Sequence, residues 1–416
     1  MTGLIETLRN GTWLTRQRIR LWALAVLVAS LAGLAYLLAT SDGLNDYQGR
    51  PLGTDFSNVY AAGTYVLEGK AAAAFDPALQ HAREKVIFSN ATPFYGWHYP
   101  PFFLFLAGAL ALLPYGLALF AWQAATLLLY LAAIRAITDP LTRTSGPLES
   151  ERPWLLLALA YPAVFINLGH GHNGFLTAAL MGAGLVLLDR RPVLAGLLFG
   201  LLAYKPQFGL MIPLVLAATG RWRAFAAAGA AVLALAAAAT LAFGTDVWRA
   251  FLTSTEFTRT VVLEAGGTGW HKIQSVFSWA RAWGSPIAVA YAIQFAVTLG
   301  LAAMLVWLWR SATSFRLKAA ALCLAAILAT PYSLDYDMMV LAPAIAFLTV
   351  DGFARGFKPW EASALAALWL VPLVTRTVAE HTLIPLGVLA MLAVTLLVLR
   401  RAMNDLAAPH GLSHAA

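Results

Sequence analysis

Apolar segments of bilayer-crossing composition recur along this chain, at 21–40, 116–137, 153–168, 174–188, 192–204, 207–219, 224–243, 286–308, 318–331, 338–350, 360–374 and 382–399. A helix needs about 20 apolar residues to cross the hydrocarbon core. Inside that core each backbone amide must bond within its own helix or around a closed barrel. Runs this long are helical, so the expected fold is an all-α polytopic membrane protein, one domain over residues 1–416. Only 12% of the residues are charged and 60% are hydrophobic, about half the charged share of a soluble domain. The run 21–40 has no small-residue cleavage site after it and reads as an uncleaved first transmembrane helix.

Orientation follows from the basic residues, because Lys and Arg favour cytoplasmic borders. Arg9, Arg16, Arg18 and Arg20 put the N-terminus in the cytoplasm. Arg190–Arg191, Arg221 with Arg223, the stretch 309–318, Arg355 with Lys358, and Arg400–Arg401 mark further cytoplasmic turns. The net charge of +8 is thereby used for orientation, and no nucleic-acid partner is expected. The count alternates if 99–137 crosses an odd number of times. The piece 99–114, opening HYPPFF, is therefore expected to be re-entrant or to lie along the surface. On this scheme about 12 helices cross and both termini are cytoplasmic. The other face receives loop 41–98, GHGHNG at 169–174, KPQ at 205–207, loop 244–284, PYSLDYD at 331–337 and TRTVAEH at 375–381. Nearly all the unusual polar residues gather there. The single cysteine, Cys323, sits in an apolar run and excludes an internal disulfide.

Asp55, in GTDFSNVYAAG, precedes Val59, Ala62, Tyr65, Val66 and Leu67 at rough helical spacing, which predicts an amphipathic juxtamembrane helix. Asp55 then reads either as that helix's N-cap, a job Ser57 could also do, or as a functional carboxylate. His170, His172 and Asn173 break an apolar stretch. HxH suits a metal, but no third ligand follows at zinc spacing, so no metal is assigned, and a polar interfacial turn is the plain alternative. Lys205, followed by Pro206 and Gln207, is costly between apolar segments unless paired or facing water. It suits an anionic ligand such as a phosphate, or snorkels to the interface. Tyr332, Asp335, Tyr336 and Asp337 offer aromatic faces and carboxylates for a sugar, or caps for the next helix. His98, Tyr99, His271, Lys272, Gln274 and Ser275 complete the polar set. No Gly-rich phosphate loop, nucleophile elbow or HExxH is present.

The ordered succession of motifs resembles a known family. Asp55 with Tyr60-Ala61-Ala62-Gly63, Gly69 with Phe75-Asp76-Pro77, and Tyr99-Pro100-Pro101-Phe102 come first. His172-Asn173-Gly174, Ala195-Gly196, Gly200-Leu201 and Lys205-Pro206-Gln207 follow, then Gln274-Ser275 and Thr330-Pro331-Tyr332 with Tyr336-Asp337. Together they are similar to the polyprenol-phosphate-dependent glycosyltransferases of family 87, multispanning GT-C enzymes. His172 stands where that family more usually has glutamine.

The resemblance implies a GT-C bundle in the bacterial inner membrane, with its site facing the exterior. It implies an inverting hexosyltransferase, mannose first among its sugars. The donor would be a polyprenyl-phosphate sugar and the acceptor a lipid-linked or other glycan, with membrane lipids around it and neither metal nor other cofactor. Asp55 is then the general base. Lys205, His98, His271 and Lys272 are the candidates for the donor phosphate. Tyr60, Tyr99, His170, His172, Asn173, Gln207, Gln274, Ser275, Tyr332, Asp335 and Asp337 are the candidates for sugar or acceptor. The competing readings are a transporter or flippase of lipid-linked glycans and a non-catalytic glycan-assembly partner. A transporter should carry polar groups on both sides and at the midplane.

Overall fold

A computed structural model describes residues 2–144 and 153–407. The described residues form helices and turns, and no strand occurs among them beyond isolated bridges. Among the described residues six helices are long and apolar enough to cross a membrane: Arg16–Ala39, Tyr115–Pro140, Trp222–Phe243, Ile287–Arg310, Asp335–Arg355 and Leu386–Ala407. Two bent pairs raise the number to 8 if each is one span. Pro153–Leu159 meets Pro162–His170 at 44°, and Glu361–Leu373 meets Thr375–Thr382 at 74°.

Length and composition among the described residues thus support 6 to 8 spans and do not confirm the expected count of about twelve. The difference lies in Gly174–Leu187, Pro192–Tyr204, Pro206–Ala218 and Phe315–Leu328. At 1.5 Å per residue each reaches only about 20 Å. Helices that short persist where protein surrounds them. Phe315–Leu328 is buried without interruption from Ala319 through Leu328 and forms the middle of the bundle. Pro101–Ala111 is also too short to cross by itself.

Exposure sorts the long helices by their surroundings. Only 6% of the apolar window of Arg16–Ala39 is buried, against 78% of that in Asp335–Arg355. Leu233, Leu241 and Phe295 point outward, Leu241 with 89% of its surface bare. Leaving such side chains in water forfeits about 25 cal/mol per Å², so the outer surface is made for lipid.

Lipid gives helices no hydrophobic reason to associate, so close packing of small residues must do it. Pro192–Leu201 and Trp222–Phe243 meet in this way. A Cβ on Gly196 would lie 2.3 Å from the Ala224 carbonyl oxygen, and one on Gly200 would lie 2.7 Å from that of Ala228.

Loop 41–98 carries the juxtamembrane helices that position the site. Thr54–Leu67 is followed by Ala71–Phe75 and Pro77–Ile87. The last begins where Asp76 accepts from the Ala78 and Leu79 amides with Pro77 at the first position, a favourable N-terminus. Gln80 and Glu84 on this helix are fully buried. The Gln80 amide donates to the Asn58 carbonyl at 3.0 Å, tying the helix to Thr54–Leu67. Glu84 accepts from the Tyr95 amide at 3.0 Å through one oxygen, and its other oxygen has no partner. Burial pushes its carboxyl up to about 8.

Two outcomes are expected. Gly196→Val should lower stability by about 1–3 kcal/mol, the usual range for overpacking, read as a fall in melting temperature in detergent. Folded Glu84 keeps its proton to about pH 8, whereas the unfolded chain releases it near about pH 4.3. Between those values the unfolded state binds fewer protons, so stability falls as pH rises. Glu84→Gln should flatten that fall and raise the melting temperature most at alkaline pH.

Candidate functional site

Prolines lie at or between helix ends beside the unusual polar residues, at Tyr99-Pro100, Lys205-Pro206 and Pro331-Tyr332. A proline cannot continue the helical ladder and drives the preceding residue out of the α region. Lys205 accordingly has φ −127° and ψ 75°. Each break turns side chains inward, and the breaks open onto one cavity of about 1050 Å³. Its wall includes Asp55, His98, Tyr99, His170, His172, Lys205, Gln207, Lys272, Tyr332, Asp335 and Asp337. Segments hundreds of residues apart are thereby gathered in one place.

Asp55 lies in the first turn of Thr54–Leu67 but does not cap it. The N-cap is Gly53, without a side-chain cap bond, and the Ser57 hydroxyl donates to the Thr54 carbonyl. The capping explanation of Asp55 therefore falls away. Its carboxylate is 20% exposed, and Oδ1 lies 3.9 Å from Nδ1 of His170. That nitrogen also sits 2.7 Å from Thr54 Oγ1. Burial raises the Asp55 carboxyl above its ordinary value, and His170 is the largest influence opposing it. Asp335 pushes the same way as burial, while Lys205 and Lys272 oppose it.

Lys205 is held by another residue. Its Nζ lies 2.5 Å from Asp337 Oδ1, with the side chains only 6% and 2% exposed. The second Asp337 oxygen accepts from the Leu334 amide at 2.9 Å. Two charges cannot be buried singly at tolerable cost, so each neutralises the other. Lys205 neither snorkels nor presents a free cation. His98 bonds Thr258 Oγ1 at 2.7 Å, and burial holds its imidazole down to about 4. It is neutral near pH 7 and can only donate or accept hydrogen bonds. The better-exposed cations of the wall are Lys272 and Arg376, together with Arg50, paired with Asp46, and Arg259, paired with Glu256. Lys272 is half-buried on the wall, its amine lowered first by burial and then by the nearby Arg376.

Arg376 was not among the residues singled out from sequence, although TRTVAEH was placed on this face. It lines the cavity 3.6 Å from Asp335, with 40% of its side chain exposed. The 74° bend before it is pinned by Thr375, whose hydroxyl donates to Gln274 Oε1 at 3.1 Å and accepts from the Gly387 amide at 2.8 Å. Gln274 also takes the Ser333 carbonyl through its own amide at 2.7 Å. Gln274 thus shapes the cavity from behind without lining it.

Aromatic rings complete the wall. His172 stacks on Tyr336 with ring centres 3.5 Å apart, and its Nε2 lies 3.4 Å from the Tyr99 hydroxyl. Asn167, a second residue sequence reasoning missed, donates to the Tyr336 carbonyl at 2.9 Å and holds that ring's backbone. Its signal in the sequence is weak, a lone polar residue just before GHGHNG. The remaining candidates lie off the wall. Tyr60 donates to the Leu113 carbonyl, and Asn173 precedes the helix Gly174–Leu187, 2% exposed. Ser275 caps Val276–Ala282, and His271 is beside the cavity without lining it. Among the described residues no three His, Cys, Asp or Glu side chains come together as a metal would require.

The model of glycosyltransferase family 87 matches residues 97–331, more than half of the chain. The matched stretch contains His98, Tyr99, His170, His172, Lys205 and Lys272, and it begins after Asp55. No curated protein and no solved structure matches the chain.

Lys205→Ala should leave the Asp337 carboxylate buried and alone, destabilising the fold by about 3–5 kcal/mol. Adding Asp337→Asn should recover most of that loss. Thermal unfolding of the single and double variants in detergent checks both expectations.

Proposed function

We propose that this chain, which belongs to glycosyltransferase family 87, moves a hexosyl group, mannosyl first among them, from a polyprenyl-phosphate sugar to a lipid-linked or glycan acceptor on the extracytoplasmic face. The observation that carries the reading is the placement of Asp55, an uncapped, partly exposed carboxylate on the wall of the cavity. The part of the lining that belongs to the first long apolar helix supports a lipid donor. Ser30 and Leu37 of the outward-facing helix Arg16–Ala39 belong to the cavity wall, so a prenyl chain can remain in lipid while its phosphate enters.

The chemistry is one displacement. Asp55 takes the proton of the acceptor hydroxyl as that oxygen attacks the anomeric carbon. The bond from that carbon to the phosphate oxygen breaks, and its electron pair leaves with polyprenyl phosphate, inverting the anomeric centre. A base works best when its pKa approaches the working pH, and burial raises the Asp55 carboxyl in that direction. Charge develops on the leaving phosphate, and fixed cations aimed there lower the barrier. Lys272 and Arg376 take that role in this scheme. The Lys205–Asp337 pair, already neutral as a unit, holds the wall. Tyr99, Tyr332, Tyr336 and His172 offer the ring faces and hydrogen bonds that suit a sugar.

Asp55→Asn should reduce transfer by about 10²–10⁴-fold, the usual contribution of a positioned base. The assay supplies labelled polyprenyl-phosphate mannose and a lipid-extract acceptor to membranes carrying the protein. Transfer undiminished in Asp55→Asn would remove the base from Asp55. Absence of transfer from any monophosphate sugar donor would favour transport of a lipid-linked glycan. Lys272→Gln and Arg376→Gln should each raise the donor KM more than they lower kcat, and an unchanged KM in both would take the phosphate away from them.

A further inference from the structure

Two helix ends are pressed together at Asp55. Thr54–Leu67 begins at Gly53, at φ 69°, and Pro162–His170 ends at Gly171, at φ 62°. Both angles are left-handed, where a side chain is strained. A Cβ on Gly171 would also lie 2.6 Å from the Phe56 Cβ and 3.2 Å from the Gly53 Cα. The close approach brings the last residue of one helix, His170, against the first turn of the other. A helix N-terminus favours an anion and a C-terminus favours a cation. Here an acid stands at the first and an imidazole at the second, Oδ1 and Nδ1 3.9 Å apart. Thr54 fixes the imidazole with its hydroxyl 2.7 Å from the same nitrogen.

We propose that His170 is the positioning partner of Asp55, a ring that favours the ionised form of the neighbouring carboxylate and keeps it aimed at the cavity. This rests on Asp55 being the base, and it moves His170 from sugar contact to the tuning of that base. Neither helix dipole nor burial alone accomplishes the same thing. Burial opposes the charged form of Asp55, and His170, 3.9 Å away, is the largest influence countering it. The other charged groups facing Asp55 are Lys205, Lys272 and Asp335, with Glu84 behind it. Lys205 is committed to Asp337. His170 itself faces the Tyr336 ring, and His172 lies close by.

The test follows the Asp55 proton directly and needs no substrate. Infrared difference spectra between wild type and Asp55→Asn isolate the carbonyl band of the protonated Asp55 carboxyl, and titrating that band gives its midpoint. His170→Gln should move the midpoint up by about 1–3 pH units, the effect of an opposite charge at this range. His170→Lys should hold it near the wild-type value. Thr54→Val, which releases the imidazole, should raise it by less and serves if His170→Gln does not fold. An unmoved midpoint in the folded His170→Gln or Thr54→Val protein overturns the proposal, as does an equal shift in His170→Lys. If the midpoint moves in a protein that transfers no sugar, the pairing stands and the transferase reading falls. If transfer proceeds and the midpoint stays, the pairing alone falls.

Discussion

The buried pair between Lys205 and Asp337 is the constraint from which the site is built. Neither charge can be left alone in a low-dielectric interior, so the break after Tyr204 and the turn at 331–337 must meet. Once that turn is fixed, Asp337 holds the Leu334 amide. Ser333 then meets the Gln274 amide, and Gln274 reaches Thr375 and so the bend that presents Arg376. A chain of hydrogen bonds thus runs from one ion pair through four segments far apart in sequence. The pair also spends a cation that the sequence offered as a phosphate ligand, and it leaves Lys272 and Arg376, with Arg50 and Arg259, as the exposed cations of the wall.

A second consequence of low dielectric appears in the short helices. Gly174–Leu187, Pro192–Tyr204 and Phe315–Leu328 would be poor membrane spans, yet they persist because neighbouring helices surround them. Their breaks lie next to the cavity, where His172 and Lys205 leave the helical ladder. The same economy explains the glycines at 196 and 200, since in lipid close backbone contact substitutes for the missing hydrophobic drive. Long, exposed helices carry the lipid boundary, and short, broken ones carry the polar groups.

On the proposed mechanism Asp55 must stay ionised at the edge of an apolar medium. Burial at Asp55 works against this, and helix-end polarity together with His170 works for it. The balance ties the ionisation of Asp55 to its neighbour 3.9 Å away. It also accounts for the left-handed turns at Gly53 and Gly171, which glycine makes without strain and which bring the two helix ends so close.

By itself the sequence determined the medium, the helical class and the gathering of odd polar residues into a few turns, because apolar run length and proline breaks are local properties. Of the residues it nominated, Asp55, Tyr99, His170, His172, Lys205, Lys272, Tyr332, Asp335 and Asp337 do meet on one wall. It could not decide how many runs cross, since a short apolar segment looks alike whether lipid or protein surrounds it. Only the tertiary structure paired Lys205 with Asp337, set His170 beside Asp55 and brought Arg376 to the cavity. Those are contacts across separations of 132, 115 and 41 residues, and electrostatic partnership at such range depends on distance in space, which no spacing along the chain encodes.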